Sequence, residues 1–367
     1  MASPLFLLFS SLLFFLPLAA AAKPPPVSPL QLVLPVTKDA STLQYYTQFP
    51  QRTPAVKVTL TVDVGGPYMW VDCDQGYESK SYKASICESP MCRLSGSSTP
   101  CGSECYGTPR PGCNNNTCSA FPCNPIANTG TIGEVATDIV SVSSADGRAV
   151  SVPNFIFVCG SSFLAEGLLA GAKGMAGFGI TNISLPVQFA AAFGFSRKFA
   201  LCLSSVPGKS GVIFVGDGSY LLPPNTNAST SLMYTPLIHN PVSTACTYNE
   251  GDSSFEYLIG VTSIAIAGKP VKINTTFLTI NEEGYGGTKI STVDRHTVME
   301  TSIYKAVTEA FVKELKARNV TQVKAVQPFK LCYDANSFPA TWIGPEAPRI
   351  DLVLHRKEVV WRILGSN

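Results

Sequence analysis

Asp63 is the residue of this chain best placed for acid–base chemistry. It closes the alternating run Leu60-Thr61-Val62-Asp63 and enters the turn Val64-Gly65-Gly66. A strand that ends in such a turn presents its carboxylate where it can act on a bound water or a carbonyl oxygen. Taken alone, an Asp before glycine is a turn residue. Acid–base work by paired carboxylates needs a second acid about 3 Å away sharing one proton. Other chemistries find less support. His239, His296 and His355 stand in no nucleophile-elbow or triad signature. Gly174 to Gly179 reads GxxGxG rather than GxGxxG and lacks a dinucleotide-binding context. No C-x-x-C occurs and histidines are scarce, so neither a metal nor a cofactor is expected.

The elements that must position Asp63 are short strands. Val56, Val58, Leu60 and Val62 alternate with Lys57, Thr59, Thr61 and Asp63, the period of a half-buried strand. Gly65-Gly66-Pro67 breaks it, and Tyr68 to Val71 starts another. Val135–Val142, Val152–Cys159 and Val212–Val215 read as strands, and Gly174–Gly179 as too flexible for a strand interior. A short helix is expected after Ser184, with Pro186 near its first turn and Gly194 as its stop. The polar stretch Pro223–Ser231 reads as a connection between two lobes. Beyond it, Tyr257–Ala267, Lys289–Val293, Ile350–Leu354 and Val359–Leu364 read as strands. Ser302–Arg318 is the clearest helix, with Ile303, Val307, Phe311 and Leu315 on one core-facing stripe and Asn319 as its cap.

With 45% hydrophobic and 14% charged residues in 367, the chain can bury a large core, which excludes disorder. A net charge of +2 gives no footing to a nucleic-acid surface. Residues 1–22 read as a signal peptide, with the apolar run Leu5–Leu18 and small residues before Lys23. No later run is long and apolar enough to cross a membrane, so a soluble, extracellular protein is expected. That compartment makes cysteines disulfide candidates: Cys73, Cys87, Cys92, Cys101, Cys105, Cys113, Cys118 and Cys159. Asn115, Asn182, Asn227, Asn274 and Asn319 precede Ser or Thr by two and are glycosylation candidates.

The order of these features resembles pepsin-like aspartic proteases. The stretch 60–66 is similar to their first active-site loop, Gly133–Asp138 to the flap region, and Met175–Gly179 to the apolar-Gly strand. Trp70–Gln75, Arg110–Cys118 and Gly287–Thr292 narrow the resemblance to the plant basic 7S globulin, extracellular dermal glycoprotein and TAXI-type xylanase inhibitor family, over nearly all of 28–367. The resemblance implies a secreted, all-β, bilobal pepsin-like fold with few short helices. One lobe spans 23–222 and an incomplete second lobe 232–367. It also implies no protease activity. Where the proteases place their second catalytic Asp, this chain has Ser291, whose hydroxyl cannot share a proton with Asp63 in that way. Asp294 lies three residues on, roughly 10 Å along an extended chain. Val64 and Gly66 stand where hydroxyl residues normally support the aspartate. On this reading no residue is catalytic and Asp63 is a relic.

The resemblance implies inhibition of microbial cell-wall glycoside hydrolases, either xylanases or xyloglucan-specific endoglucanases. Those enzymes work with two carboxylates in a cleft, which a loop with a cationic tip can enter. The matching loop is Asn319–Lys324, with Gln322 and Lys324 as candidate contact residues. Relatives continue beyond residue 367, so Cys332 and Cys202 are expected to lack partners here. Cys123 and Cys246 look additional to the family's usual set. An active aspartic endopeptidase and a peptide-binding or storage-like globulin are the alternatives.

Overall fold

The computed structural model describes residues 28–96, 105–246, 251–342 and 344–365. The signal segment 1–22 and Cys101 lie outside them. The first lobe is one eleven-stranded sheet. Its order is Phe199–Cys202, Ser210–Gly216, Gln31–Lys38, Tyr45–Gln51, Val56–Asp63, Gly174–Gly177, Trp70–Asp72, Ala149–Gly160, Gly133–Ser144 and Lys83–Ala84, with Ser119–Ala120 beside Gly133–Ser144. Gly133–Ser144 also pairs with Gln31–Lys38 and Tyr45–Gln51, so the sheet curls back on itself like a barrel. Alternate residues such as Leu34, Val36, Leu60, Val62, Phe155 and Phe157 fill its interior. The helix Leu185–Phe193 closes one side: Gln188 accepts a hydrogen bond from Ile156 N–H and donates to Ile156 and Ile183 carbonyls. Gly194 ends it in the left-handed conformation.

The glycine run corrects one expectation. Gly174–Gly177 is a strand, parallel to Val56–Asp63 and antiparallel to Trp70–Asp72. A Cβ on Gly174 would sit 1.9 Å from the Trp70 carbonyl oxygen, and one on Gly177 2.3 Å from that of Tyr68. The glycines are there because neighbouring backbones approach too closely for any side chain.

The second lobe is assembled from smaller sheets. One has Leu237–Ile238, Leu258–Ile259 and Thr288–Lys289; another has Lys269–Pro270, Ser263–Ile266, Ile350–Val353 and Val360–Ile363. The expected single strand Tyr257–Ala267 is two strands, because Leu258–Ile259 pairs in the first of these sheets and Ser263–Ile266 in the second. Likewise Lys289–Val293 is strand only as far as Lys289. The helix Thr301–Ala317 buries Ile303, Val307 and Leu315. The Glu300 carboxylate accepts from Ser302 and Ile303 N–H at its start, and Asn319 turns left-handed just past its end. Among the described residues no helix is long and apolar enough to cross a membrane.

Disulfides join Cys73–Cys159, Cys105–Cys113 and Cys123–Cys246, and Cys87 is also disulfide-bonded. Cys123–Cys246 ties a strand of the first lobe to a segment of the second, just past Leu237–Ile238. Cys92 and Cys118 depart from the expectation: they are buried free thiols, hydrogen-bonded to each other. Burial first, and Cys92 beside it, push the Cys118 thiol up to about 12, so it stays protonated. Cys202 and Cys332 are free and half-buried.

Candidate functional site

Asp63 ends its strand 7% exposed, under the edge of the second lobe. Its Oδ1 accepts from Gly65 N–H at 3.0 Å. A Cβ on Gly66 would lie 2.8 Å from Asp63 Oδ2, so the glycine that sequence comparison reads as a lost hydroxyl is a packing requirement. The loop Ser291–Val293 comes from the other lobe to meet it. Thr292 Oγ1 accepts from Val64 N–H at 3.0 Å and donates to the Val62 carbonyl at 2.7 Å. One buried hydroxyl thus satisfies the backbone on both sides of the aspartate. Val64 has no hydroxyl to return the bond, so the grip is one-sided. Ser291 Oγ turns back on its own loop and accepts from Val293 and Asp294 N–H at 3.3 and 3.1 Å. Asp294 is exposed.

Two further charged residues stand here, and the sequence reading missed both. Glu256 Oε1 and Asp63 Oδ1 each lie 3.6 Å from where a Cβ on Gly65 would be, and Lys289 Nζ donates to Glu256 Oε1 at 2.9 Å. Burial pushes the Asp63 carboxyl up to about 6. Gly65 N–H opposes that rise, Glu256 adds to it, and Lys289 opposes it again. Burial works against the Lys289 ammonium, yet the hydrogen bond and charge of Glu256 outweigh it and hold its pKa above the ordinary lysine value. Lys289 was legible as the residue two before Ser291. Glu256 carried no sequence signal, since it lies 193 residues from Asp63 and only the fold joins them.

The second candidate region is a projecting hairpin. Gln322–Val323 pairs with Cys332–Tyr333, and every residue from 321 to 330 is exposed. Thr321 and Asp334 fix its base: Thr321 N–H donates to Ser337 Oγ, and Asp334 N–H to the Thr321 carbonyl. Lys324 stands on the outgoing limb and Lys330, which the sequence reading passed over, on the returning one. Neither lysine makes an ion pair among the described residues. Val326 is 66% exposed at the tip, and Phe329 meets the His296 ring edge-on at 4.8 Å.

Of the sequons, Asn115, Asn182, Asn274 and Asn319 are exposed and Asn227 is half-buried. The Oδ1 atoms of Asn115, Asn227 and Asn274 accept from Cys105, Ser229 and Thr276 N–H. Among the described residues no group of His, Cys, Asp and Glu is arranged to hold a metal ion.

A curled first-lobe sheet, a second lobe of smaller sheets and two loops meeting at Asp63 define a pepsin-like protein. Residues 45–217 match the xylanase inhibitor N-terminal domain and 256–367 the xylanase inhibitor C-terminal domain. The chain belongs to this xylanase inhibitor family. It is 54% identical over 344 residues to "Probable aspartic proteinase GIP2" of Nicotiana benthamiana, covering 92% of this chain and 78% of that one. It is 38% identical to "Gamma conglutin 1" of Prunus dulcis, over 93% and 76% of the two chains. Among solved structures, that titled "Crystal structure of edgp" superposes with a TM-score of 0.91 at 53% identity, over 94% of this chain and 84% of that one. Soybean basic 7S globulin gives 0.78 at 36% identity, over 92% and 81%.

Proposed function

We propose that this protein is a secreted, non-catalytic inhibitor of microbial cell-wall glycoside hydrolases, of the xylanase or xyloglucan-specific endoglucanase class. The exposed hairpin carries this reading. Lys324 and Lys330 extend from it without counter-ions beside the apolar Val326 and Phe329. A glycosidase cleft lined by two carboxylates and sugar-stacking surfaces is the complement of such a tip. Gln322 stands on the strand that leads into Lys324. Non-catalysis is supported at Asp63, where the opposite loop offers the Thr292 and Ser291 hydroxyls in place of a second carboxyl. The disulfides and exposed sequons suit an extracellular life, with Asn115, Asn182, Asn274 and Asn319 the accessible attachment sites.

The test is inhibition of a fungal xylanase and a xyloglucan-specific endoglucanase by the purified protein. Inhibition at nanomolar concentration is expected. The double substitution Lys324→Glu, Lys330→Glu weakens it at least tenfold, and Asp63→Asn leaves it unchanged. No inhibition of either enzyme class overturns the reading.

Glu256 gives one observation for a second reading, an acid peptidase in which it serves as the other carboxyl. Its ion pair with Lys289 at 2.9 Å keeps it engaged, which opposes that role. Pepstatin-sensitive cleavage of a denatured protein at acidic pH, lost in Asp63→Asn, would establish it.

A further inference from the structure

A cavity of about 780 Å³ opens between the lobes, and the hairpin contributes nothing to it. Its walls are Tyr68, Phe121, Ile180 and Phe199 from the first lobe with Leu237 and Phe255 from the second. The volume falls in the range of small-molecule sites, and a mostly apolar lining with a few polar groups is their usual chemistry. The walls are held together across the lobes. Ile180 N–H donates to the Phe255 carbonyl at 2.8 Å, and Tyr257 OH to the Phe178 carbonyl at 3.0 Å. The Cys123–Cys246 disulfide lies on the same flank, close in sequence to Phe121 on one side and to the 252–257 segment on the other. The cavity is therefore preformed, which lowers the entropy cost of filling it.

Charge at the lining sets the ligand's sign. Besides Tyr68 and Tyr257, four titratable residues, Arg197, His239, Asp252 and Glu256, line the cavity. Glu256 is paired with Lys289 at 2.9 Å, and Asp252 is engaged by an interaction of its own. Arg197, exposed at the rim of the cavity, has neither a hydrogen bond nor an ion pair among the described residues, so it is the lining cation free to meet an anion.

We propose that this inter-lobe cavity binds a small amphiphilic anion, with an aromatic or aliphatic body against Tyr68, Phe199 and Phe255 and a carboxylate or sulfonate at Arg197. The site is separate from the glycosidase-facing hairpin, and the proposal stands whether or not that hairpin inhibits.

The probe is 8-anilinonaphthalene-1-sulfonate, titrated into the full protein by fluorescence and calorimetry, with 4-phenylbutyrate as competitor. Saturable one-to-one binding is expected, displaced by 4-phenylbutyrate and weakened at least fivefold by Arg197→Gln. Ile180→Trp fills the cavity from a side chain that is already 53% exposed, so it abolishes binding while circular dichroism and melting temperature stay those of the parent. A signal that both variants leave untouched overturns the proposal, since the dye then sits on exposed apolar surface such as Tyr234 and Trp342. Binding that Ile180→Trp abolishes but Arg197→Gln does not change overturns the anionic half.

Discussion

The loops at Asp63 and Ser291 meet from opposite lobes and are built very differently. Asp63 ends an eight-residue strand paired on both sides, to Tyr45–Gln51 and to Gly174–Gly177. Ser291 follows a two-residue strand, Thr288–Lys289, at the edge of a three-stranded sheet. The first lobe sequesters Phe155, Phe157, Phe178 and Phe189 almost completely, whereas the second leaves Tyr234, Trp342 and Phe329 exposed. Rigidity is concentrated in the first lobe. What the second lobe supplies to the backbone on either side of Asp63 is one hydroxyl, on Thr292.

The strongest way to break this contrast is at Glu134, which anchors the cysteine-rich segment of the first lobe. Its carboxylate accepts from Asn114 N–H and Nδ2, Thr117 Oγ1, Gly112 N–H and the Tyr82 hydroxyl. Glu134→Ala removes the acceptor of Asn114 N–H and of the Tyr82 hydroxyl, leaves Gly112 N–H, Asn114 Nδ2 and Thr117 Oγ1 with one acceptor each, and lowers unfolding free energy by about 3–5 kcal/mol in a urea titration. A loss under 1 kcal/mol would show that the first lobe is no more demanding than the second.

Next is the pH dependence of Asp63. Its folded pKa, about 6, lies above the ordinary 3.8, so the folded protein binds the extra proton. The stability it contributes is full below pH 3.8 and is lost as pH rises through 6. The amplitude is about 3 kcal/mol, with melting temperature as the readout. Asp63→Asn removes that slope; an unchanged slope would place the titrating group elsewhere.

Thr292→Val tests the one-sided grip. It strands Val64 N–H and the Val62 carbonyl, at a loss of about 2 kcal/mol, and separates the lobes' melting transitions in calorimetry. A single unshifted transition would mean that the hydroxyl does not couple them.

The smallest effect is at the half-exposed Glu256–Lys289 pair. Lys289→Gln costs less than about 1 kcal/mol, yet it removes an opposing charge and moves the Asp63 midpoint above 6. Glu256→Gln moves that midpoint down. Midpoints read by carboxyl NMR that shift the other way would refute the placement of this pair.

Much of this was legible in the sequence where local pattern and chemistry agree. The alternation of Val56–Asp63, the stripe on Thr301–Ala317 and the turn at Gly194 each carry their own signal within a few residues. The strand at Gly174–Gly177 was not legible, because its glycines answer to backbones of Tyr68 and Trp70 a hundred residues away. Nor was the split of Tyr257–Ala267, which depends on which sheets its halves join. At the site, Asp63 and Ser291 could be read from the chain, whereas Glu256, Lys330 and the pairing of Cys123 with Cys246 depend on tertiary neighbours.

The Cys123–Cys246 bond changes what a cut in the chain does. It closes a covalent ring over residues 123–246 that contains much of the first lobe. A protease that nicks the connection before Cys246, for instance at Pro223–Ser231, leaves both lobes in one molecule until a reductant is added. A nick after Cys246 frees the remainder of the second lobe without a reductant. Cleavage on the two sides of Cys246 thus has opposite consequences for the intact mass on a non-reducing gel.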